Sequence, residues 1–162
     1  MSLFRVTFAV LAVVATLALR ASAFEVGQTF PGLASYSLEG SAPGTKGKVV
    51  LVDLWASWCG PCQKSFPFLE SLHQKLKGRG LVVVGVSLDE DPTAMQRFLK
   101  KHPASFSILR DATQALAKAA QPPTMPTSFV VDRTGKIRFV NPGFTGSSEA
   151  KIEQQVTELL GP

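Results

Sequence analysis

The sequence predicts an α/β domain: a three-layer α/β/α sandwich with a mixed central sheet and an N-terminal extension. Three observations lead there. Two continuous apolar runs, Lys48–Trp55 and Leu81–Leu88, have the β-branched character of strands buried on both faces. Stretches with apolar residues every three or four positions alternate with them, as amphipathic helices do. Near the C-terminus, Ser128–Asp132 and Lys136–Val140 flank Arg133-Thr134-Gly135, a hairpin signature that adds antiparallel pairing. The 162 residues, 45% hydrophobic and 18% charged, suffice for one core, and no repeat or linker divides the chain.

The first residues form a separate unit. Arg5 precedes the apolar run Val6–Leu19, which is followed by Arg20 and Ala21-Ser22-Ala23. A basic start, a short apolar core and a small-x-small site describe a secretory signal peptide over residues 1–23, leaving a mature domain over 24–162. The competing reading is a retained membrane anchor, against which the run falls short of the ~20 residues that span a bilayer. No cysteine ends the run and no twin arginine precedes it, so lipidation is excluded and the general secretory route expected. Cleavage would lower Lys and Arg from 17 to 15 against 12 Asp and Glu, a net charge of +3 in place of +5. The longest basic cluster, Arg97, Lys100, Lys101 and His102, falls at a helix end where cations meet the dipole favourably. No basic stripe with interleaved aromatics marks a nucleic-acid surface.

The elements follow in order. Phe24–Gly47, rich in Gly, Pro and Ser, reads as an extended leader with a short strand near Leu33–Leu38. After the first buried strand, Phe66, Leu69, Leu72 and Leu76 give the helix over Pro61–Lys77 one apolar face. Pro67 should kink it, because proline lacks an N–H and crowds the preceding turn. Asp91 and Pro92 supply an N-cap and first-turn proline for a helix over Pro92–Lys101. A short strand at Phe106–Leu109 and a short helix at Asp111–Ala119 precede the hairpin. Ser148 is expected to cap a last helix over Glu149–Leu160, whose Ile152, Val156, Leu159 and Leu160 share a face.

Cys59 and Cys62 are the only cysteines. A disulfide across so few residues closes a tiny loop and constrains little of the unfolded chain. Stabilisation therefore explains the pair poorly, and reversible two-electron exchange explains it better. Cys59 should lie at a helix N-terminus, where unpaired N–H groups and the dipole favour a thiolate. Such thiols titrate at roughly 3.5–7.5 against about 8.5 when free. Cys62, one turn inside, should be more buried and resolve the mixed disulfide that Cys59 forms. Pro61 stiffens the turn, and Gly60 lets a partner backbone come close.

The run Asp53-Leu-Trp-Ala-Ser-Trp58-Cys59-Gly60-Pro61-Cys62 resembles the thioredoxin active-site signature. Pro67 falls where thioredoxins kink the same helix, and Met125-Pro126-Thr127 precedes a strand where they carry a cis-proline loop. The matches span about 75 residues in the family's order. Leu81–Leu88 with Asp89-Glu90-Asp91, the stretch Pro126–Ile137, the additional segment between Pro92 and Leu109 and the strand before the core are similar to exported proteins of the TlpA and ResA type. That resemblance implies a thiol-disulfide oxidoreductase that reduces protein disulfides outside the cytoplasm, among them those of apocytochromes c, with electrons from a membrane thiol donor. It implies a Cys59–Cys62 disulfide, no cofactor and no metal, and a monomer is the default. Two features depart from many of those relatives: Asp53, and the Gly60-Pro61 dipeptide of general thioredoxins.

Each supporting residue carries a second reading. Asp53 lies inside an apolar strand, so its pKa should rise. It would exchange a proton with Cys62, or else pair with a lysine. Glu90 is either a proton relay beside the site or charge at a helix start. Pro126, if cis, exposes the Met125 backbone to an extended substrate; otherwise it is an ordinary loop proline. Trp58 should be exposed on the substrate groove, whereas core packing accounts for Trp55. His73 and His102 read as surface histidines.

Other functions remain in view. Soft Cu(I) suits two thiolates, making a metallochaperone the main alternative, although no third ligand stands at a useful spacing. A peroxiredoxin-like peroxidase needs a Pro-x-x-x-Thr-x-x-Cys context that Cys59 lacks. A redox-dead binding domain would not need both thiols.

Overall fold

The computed structural model describes residues 23–162; the proposed leader, Ala23 apart, lies outside the described residues. Its core is a five-stranded sheet in the order β3-β2-β1-β4-β5. The strands are β1 (Val49–Trp55), β2 (Leu81–Ser87), β3 (Ser107–Arg110), β4 (Thr127–Val131) and β5 (Ile137–Pro142). β1 pairs parallel with β2, and β2 with β3; β4 runs antiparallel to both β1 and β5. The mixed sheet and its flanking helices match the sequence expectation.

Strand β1 is buried along its whole length, and its residues alternate between two cores. Val49, Leu51 and Trp55 face the layer formed by α1 (Gly60–Leu76), α2 (Pro92–Lys101) and α4 (Ser148–Leu160). Val50, Val52 and Leu54 face the other side, closed by α3 (Ala115–Ala120) and the N-terminal segment. This period-two alternation places Asp53 on the Leu51–Trp55 face, under α1.

The aromatic centre of the first core is Trp55, Phe66, Phe98 and Phe106. The Phe66 ring lies 4.6 Å from Trp55, 4.8 Å from Phe98 and 5.6 Å from Phe106. This packing ties α1 to the strand end from which the cysteine loop departs. Gly85 makes room for it: a Cβ there would come within 3.1 Å of the Trp55 indole nitrogen and of Ile108 Cδ1.

The N-terminal extension differs from expectation. Leu33–Leu38 forms no strand; Leu33–Ser35 is a single 3-10 turn. The segment crosses the sheet face as a strap, bridging Thr29 to Lys136 near β5 and Glu39 to Arg110 on β3. Its apolar residues Phe30, Leu33, Tyr36 and Leu38 pack downward onto the second core. The alternation that suggested a strand reflects burial against the sheet face, while the backbone bonds go to opposite edges.

Two helix starts also move. Asp111 precedes α3 rather than opening it: its carboxylate accepts the N–H groups of Ala115 at 3.0 Å and Ala117 at 2.9 Å. Helix α4 begins at Ser148, which is not its N-cap; the preceding Ser147 occupies the cap position without a side-chain bond. The Ser148 hydroxyl instead accepts Thr145 N–H at 2.8 Å. The Asp91 cap of α2 is as expected, accepting Thr93 N–H at 2.8 Å. Among the described residues no helix is long and apolar enough to cross a membrane.

Phe66→Ala should cost about 3–5 kcal/mol, because three rings lose their common partner and the site cannot collapse. Urea unfolding should show a lower midpoint with an unchanged slope. A loss under ~1 kcal/mol would contradict this packing account.

Candidate active site

The site forms where β1 hands the chain to α1. Ala56–Trp58 turn out of the strand, and Cys59 stands at the N-cap of α1 with extended backbone. Its Sγ accepts the Cys62 N–H at 3.2 Å, occupying the place of the usual capping oxygen. Pro61 falls in the first turn, where a missing N–H costs nothing. Cys59 and Cys62 are joined as a disulfide with Cα atoms 5.2 Å apart. Cys59 is 6% exposed and Cys62 is 0% exposed, so the outer sulfur alone meets an incoming partner. Nothing lies within 4 Å of a Cβ built on Gly60, so the space above the turn is open.

Asp53 lies on β1, on the same face as the α1 core. It is fully buried. The antiparallel register sets Ser128 directly opposite, and the Ser128 hydroxyl donates to Asp53 Oδ1 at 2.6 Å. Asp53 Oδ2 has no hydrogen-bond partner. Burial pushes the carboxyl from 3.8 to about 7, partly offset by the Ser128 bond, which favours the ionised form. The lysine partner considered from the sequence is not there: none of the ion pairs among the described residues involves Asp53.

The Met125–Pro126 peptide is cis. Its loop is held by Thr127 Oγ1–H on Thr124 O at 2.6 Å and by Gly143 N–H on Pro126 O at 2.7 Å. Met125 is half-buried and Trp58 is 72% exposed. Both line a groove of about 400 Å³ with Leu88, Glu90 and Gln114. The structure thus brings together Trp58, Met125 and Glu90 on one rim, while Asp53 lies buried within β1, the strand that leads into the cysteine loop. Glu90 is exposed, and its backbone carbonyl accepts Arg110 Nη1–H at 2.9 Å.

The histidines stand elsewhere in the fold and are half-buried rather than surface residues. His73 packs edge-on to Phe106 at 6.2 Å and His102 stacks on Phe98 at 4.4 Å. No group of three or more His, Cys, Asp or Glu that could hold a metal occurs among the described residues.

Sequence reasoning missed Ser128, Asp89 and Arg110. Ser128 becomes visible only once strand register is known. Within the acidic triplet Asp89, not Glu90, is the buried member: it is 2% exposed and holds Ser57 through two bonds. Its place at the strand end was the available signal.

A slightly exposed sulfur at a helix start, bonded to a buried one where a mixed sheet hands the chain to that helix, defines a thiol-disulfide oxidoreductase of the thioredoxin-like class. The chain belongs to the redoxin family, whose model matches residues 25–156. It is 31% identical to the thiol-disulfide oxidoreductase ResA of Bacillus thuringiensis subsp. konkukian, over 70% of this chain and 67% of that protein. ResA of Bacillus subtilis is 30% identical over 72% of this chain and 64% of that one. Among solved structures, a Chlorobium tepidum protein described as a thiol:disulfide interchange protein, DsbE, superposes with a TM-score of 0.80 at 34% identity, covering 86% of this chain and all of that one. A secreted Mycobacterium tuberculosis disulfide oxidoreductase homologous to Escherichia coli DsbE gives 0.63 at 25% identity, covering 71% of this chain and 84% of that one.

The raised Asp53 pKa makes stability depend on pH. Between about 4 and 7 the folded protein holds a proton that the unfolded chain releases, so stability falls as pH rises through that window and levels off above it. The displacement corresponds to on the order of 4 kcal/mol. Asp53→Asn should remove this component of the slope. Urea unfolding of both oxidised proteins across pH 4–8 checks it, and parallel curves would contradict it.

Proposed function

We propose that the protein is exported and reduces disulfides of proteins outside the cytoplasm, apocytochromes c among them. The observation carrying this reading is the asymmetry of the pair: Cys59 grazes solvent with its Sγ on the Cys62 N–H, while Cys62 is fully buried; the strand leading into the pair carries a buried carboxyl poised near neutrality.

In the reduced form, the Cys59 thiolate attacks one sulfur of the substrate disulfide. A mixed disulfide forms and the first substrate thiolate leaves. Cys62 gives its proton to Asp53, directly or through a bridging water. The Cys62 thiolate then attacks Cys59 Sγ, closing the Cys59–Cys62 bond and expelling the second substrate thiolate, which takes up a proton. The substrate gains two electrons and the protein loses two. A dithiol donor, expected at the membrane, reverses the change on the protein. An Asp53 carboxyl titrating near 7 can accept and release that proton at neutral pH.

Trp58 and Met125 line the groove, and the cis Met125–Pro126 peptide would offer the Met125 backbone to an extended substrate, with Gly60 and Pro61 leaving the sulfur approachable. Glu90, exposed at the groove rim, would relay protons to solvent, a role its exposure there is compatible with. Export is supported by the leader-like start of the sequence and by the secreted M. tuberculosis relative. The Gly60-Pro61 dipeptide favours the reducing direction, with a potential nearer thioredoxin's roughly −270 mV than the about −120 mV of a strong oxidant.

Cys62→Ser should accumulate substrates as mixed disulfides on Cys59, and Cys59→Ser should accumulate none. Non-reducing electrophoresis with mass spectrometry reads the difference. Equal trapping by the two variants would refute the division of labour. Asp53→Asn should leave formation of the mixed disulfide unchanged but slow its resolution about 100-fold or more near pH 7; stopped-flow rates separate the steps, and an unaltered second step would remove Asp53 from the proton path.

A further inference from the structure

The loop that presents Cys59 is gripped by a buried carboxylate that plays no part in the exchange described above. Asp89 follows the end of β2. Its Oδ1 accepts the Ser57 hydroxyl at 2.6 Å, and its Oδ2 accepts the Ser57 N–H at 3.0 Å and the Ser87 hydroxyl at 2.7 Å. Two of these three bonds converge on Ser57, separated from Cys59 by Trp58 alone.

The segment bearing Asp89 is itself anchored. Arg110, 8% exposed, donates Nη1 to the carbonyls of Asp89 at 3.3 Å and Glu90 at 2.9 Å. Its Nε and Nη2 fork onto the Glu39 carboxylate at 2.9 and 2.8 Å. Glu39 thus neutralises Arg110, and the Asp89 carboxylate is left to the hydroxyl and amide donors of the cysteine loop and strand end. The N-terminal strap, through Glu39, belongs to the same frame.

The consequence is greatest in the reduced protein. While the disulfide is closed, Cys59 is tethered to α1 covalently. When it opens, Cys59 Sγ stays over the Cys62 N–H only if the loop from Ala56 to Trp58 keeps its shape. The Cys59 N–H on Ala56 O at 3.1 Å and the Gln63 N–H on Cys59 O at 3.2 Å remain, and the Asp89 clamp on Ser57 adds a restraint on the loop itself. We propose that Asp89 is a positioning residue for the exchange reaction, holding Ser57 so that Cys59 remains at the helix start in both redox states. This rests on the dithiol reading above.

The test compares reduced wild type with Asp89→Ala, Asp89→Asn and Ser57→Ala by the pH dependence of thiolate ultraviolet absorbance and the rate of exchange with a small disulfide. Exchange by the wild type establishes the dithiol reading independently. Asp89→Ala should raise the Cys59 thiol pKa by about one, a tenfold smaller thiolate fraction at lower pH. The rate should fall about threefold, since the more basic thiolate is intrinsically more nucleophilic. Asp89→Asn, nearly isosteric but with one acceptor oxygen for three donors, should fall between. Adding Ser57→Ala to Asp89→Ala should change nothing more, because both act through one contact. If Asp89→Ala does not fold, Asp89→Asn and Ser57→Ala carry the same comparison, each with a raised pKa. An unchanged pKa overturns the proposal. So does a lowered one, which would make Asp89 a like charge opposing the thiolate, and so does an additive double variant.

Discussion

Everything at this site depends on the capping contact between Cys59 Sγ and the Cys62 N–H. A helix start leaves amide groups without partners, and here one of them is directed at sulfur at 3.2 Å. The contact determines which cysteine is outer and which is inner. It also requires that a buried strand end abruptly at the base of α1, so β1, the Trp55–Phe66–Phe98 cluster and the Ser57 loop are all arranged around it. The packing does not create the reactivity; it holds the geometry in which backbone dipoles can create it.

Asp53 stands in tension with stability. A carboxyl with one oxygen bonded to Ser128 and the other unpartnered is an unfavourable thing to bury. An apolar residue at this point of β1 would fit the surrounding Val and Leu residues better. Retaining a carboxyl that titrates near neutrality makes sense if a proton must move beneath a buried thiol. Asp89 solves a different problem with the same chemical group: three donors satisfy it, and it serves as an anchor.

Much of this architecture was legible in the chain. Continuous apolar runs announced β1 and β2, three- and four-residue spacing announced α1 and α4, and Gly135, at φ 86°, closed the expected hairpin. Local capping chemistry was readable where it used neighbouring residues, as at Asp91. It failed where the partners were distant or the offset ambiguous, as at Ser148 and in the strap over Leu33–Ser35. The cysteine pair and Asp53 were legible because their spacing is local to one strand–turn–helix. Ser128 and the Asp89–Ser57 clamp were not, because each depends on pairing between elements 32 to 75 residues apart.

The central claim is that the start of α1 stabilises a thiolate at Cys59. The rate of iodoacetamide alkylation at Cys59 in the reduced protein, followed against pH, addresses it most directly. A half-maximal rate between roughly pH 3.5 and 7.5 is the predicted result. A midpoint near pH 8.5, the value of an ordinary thiol, would contradict the account.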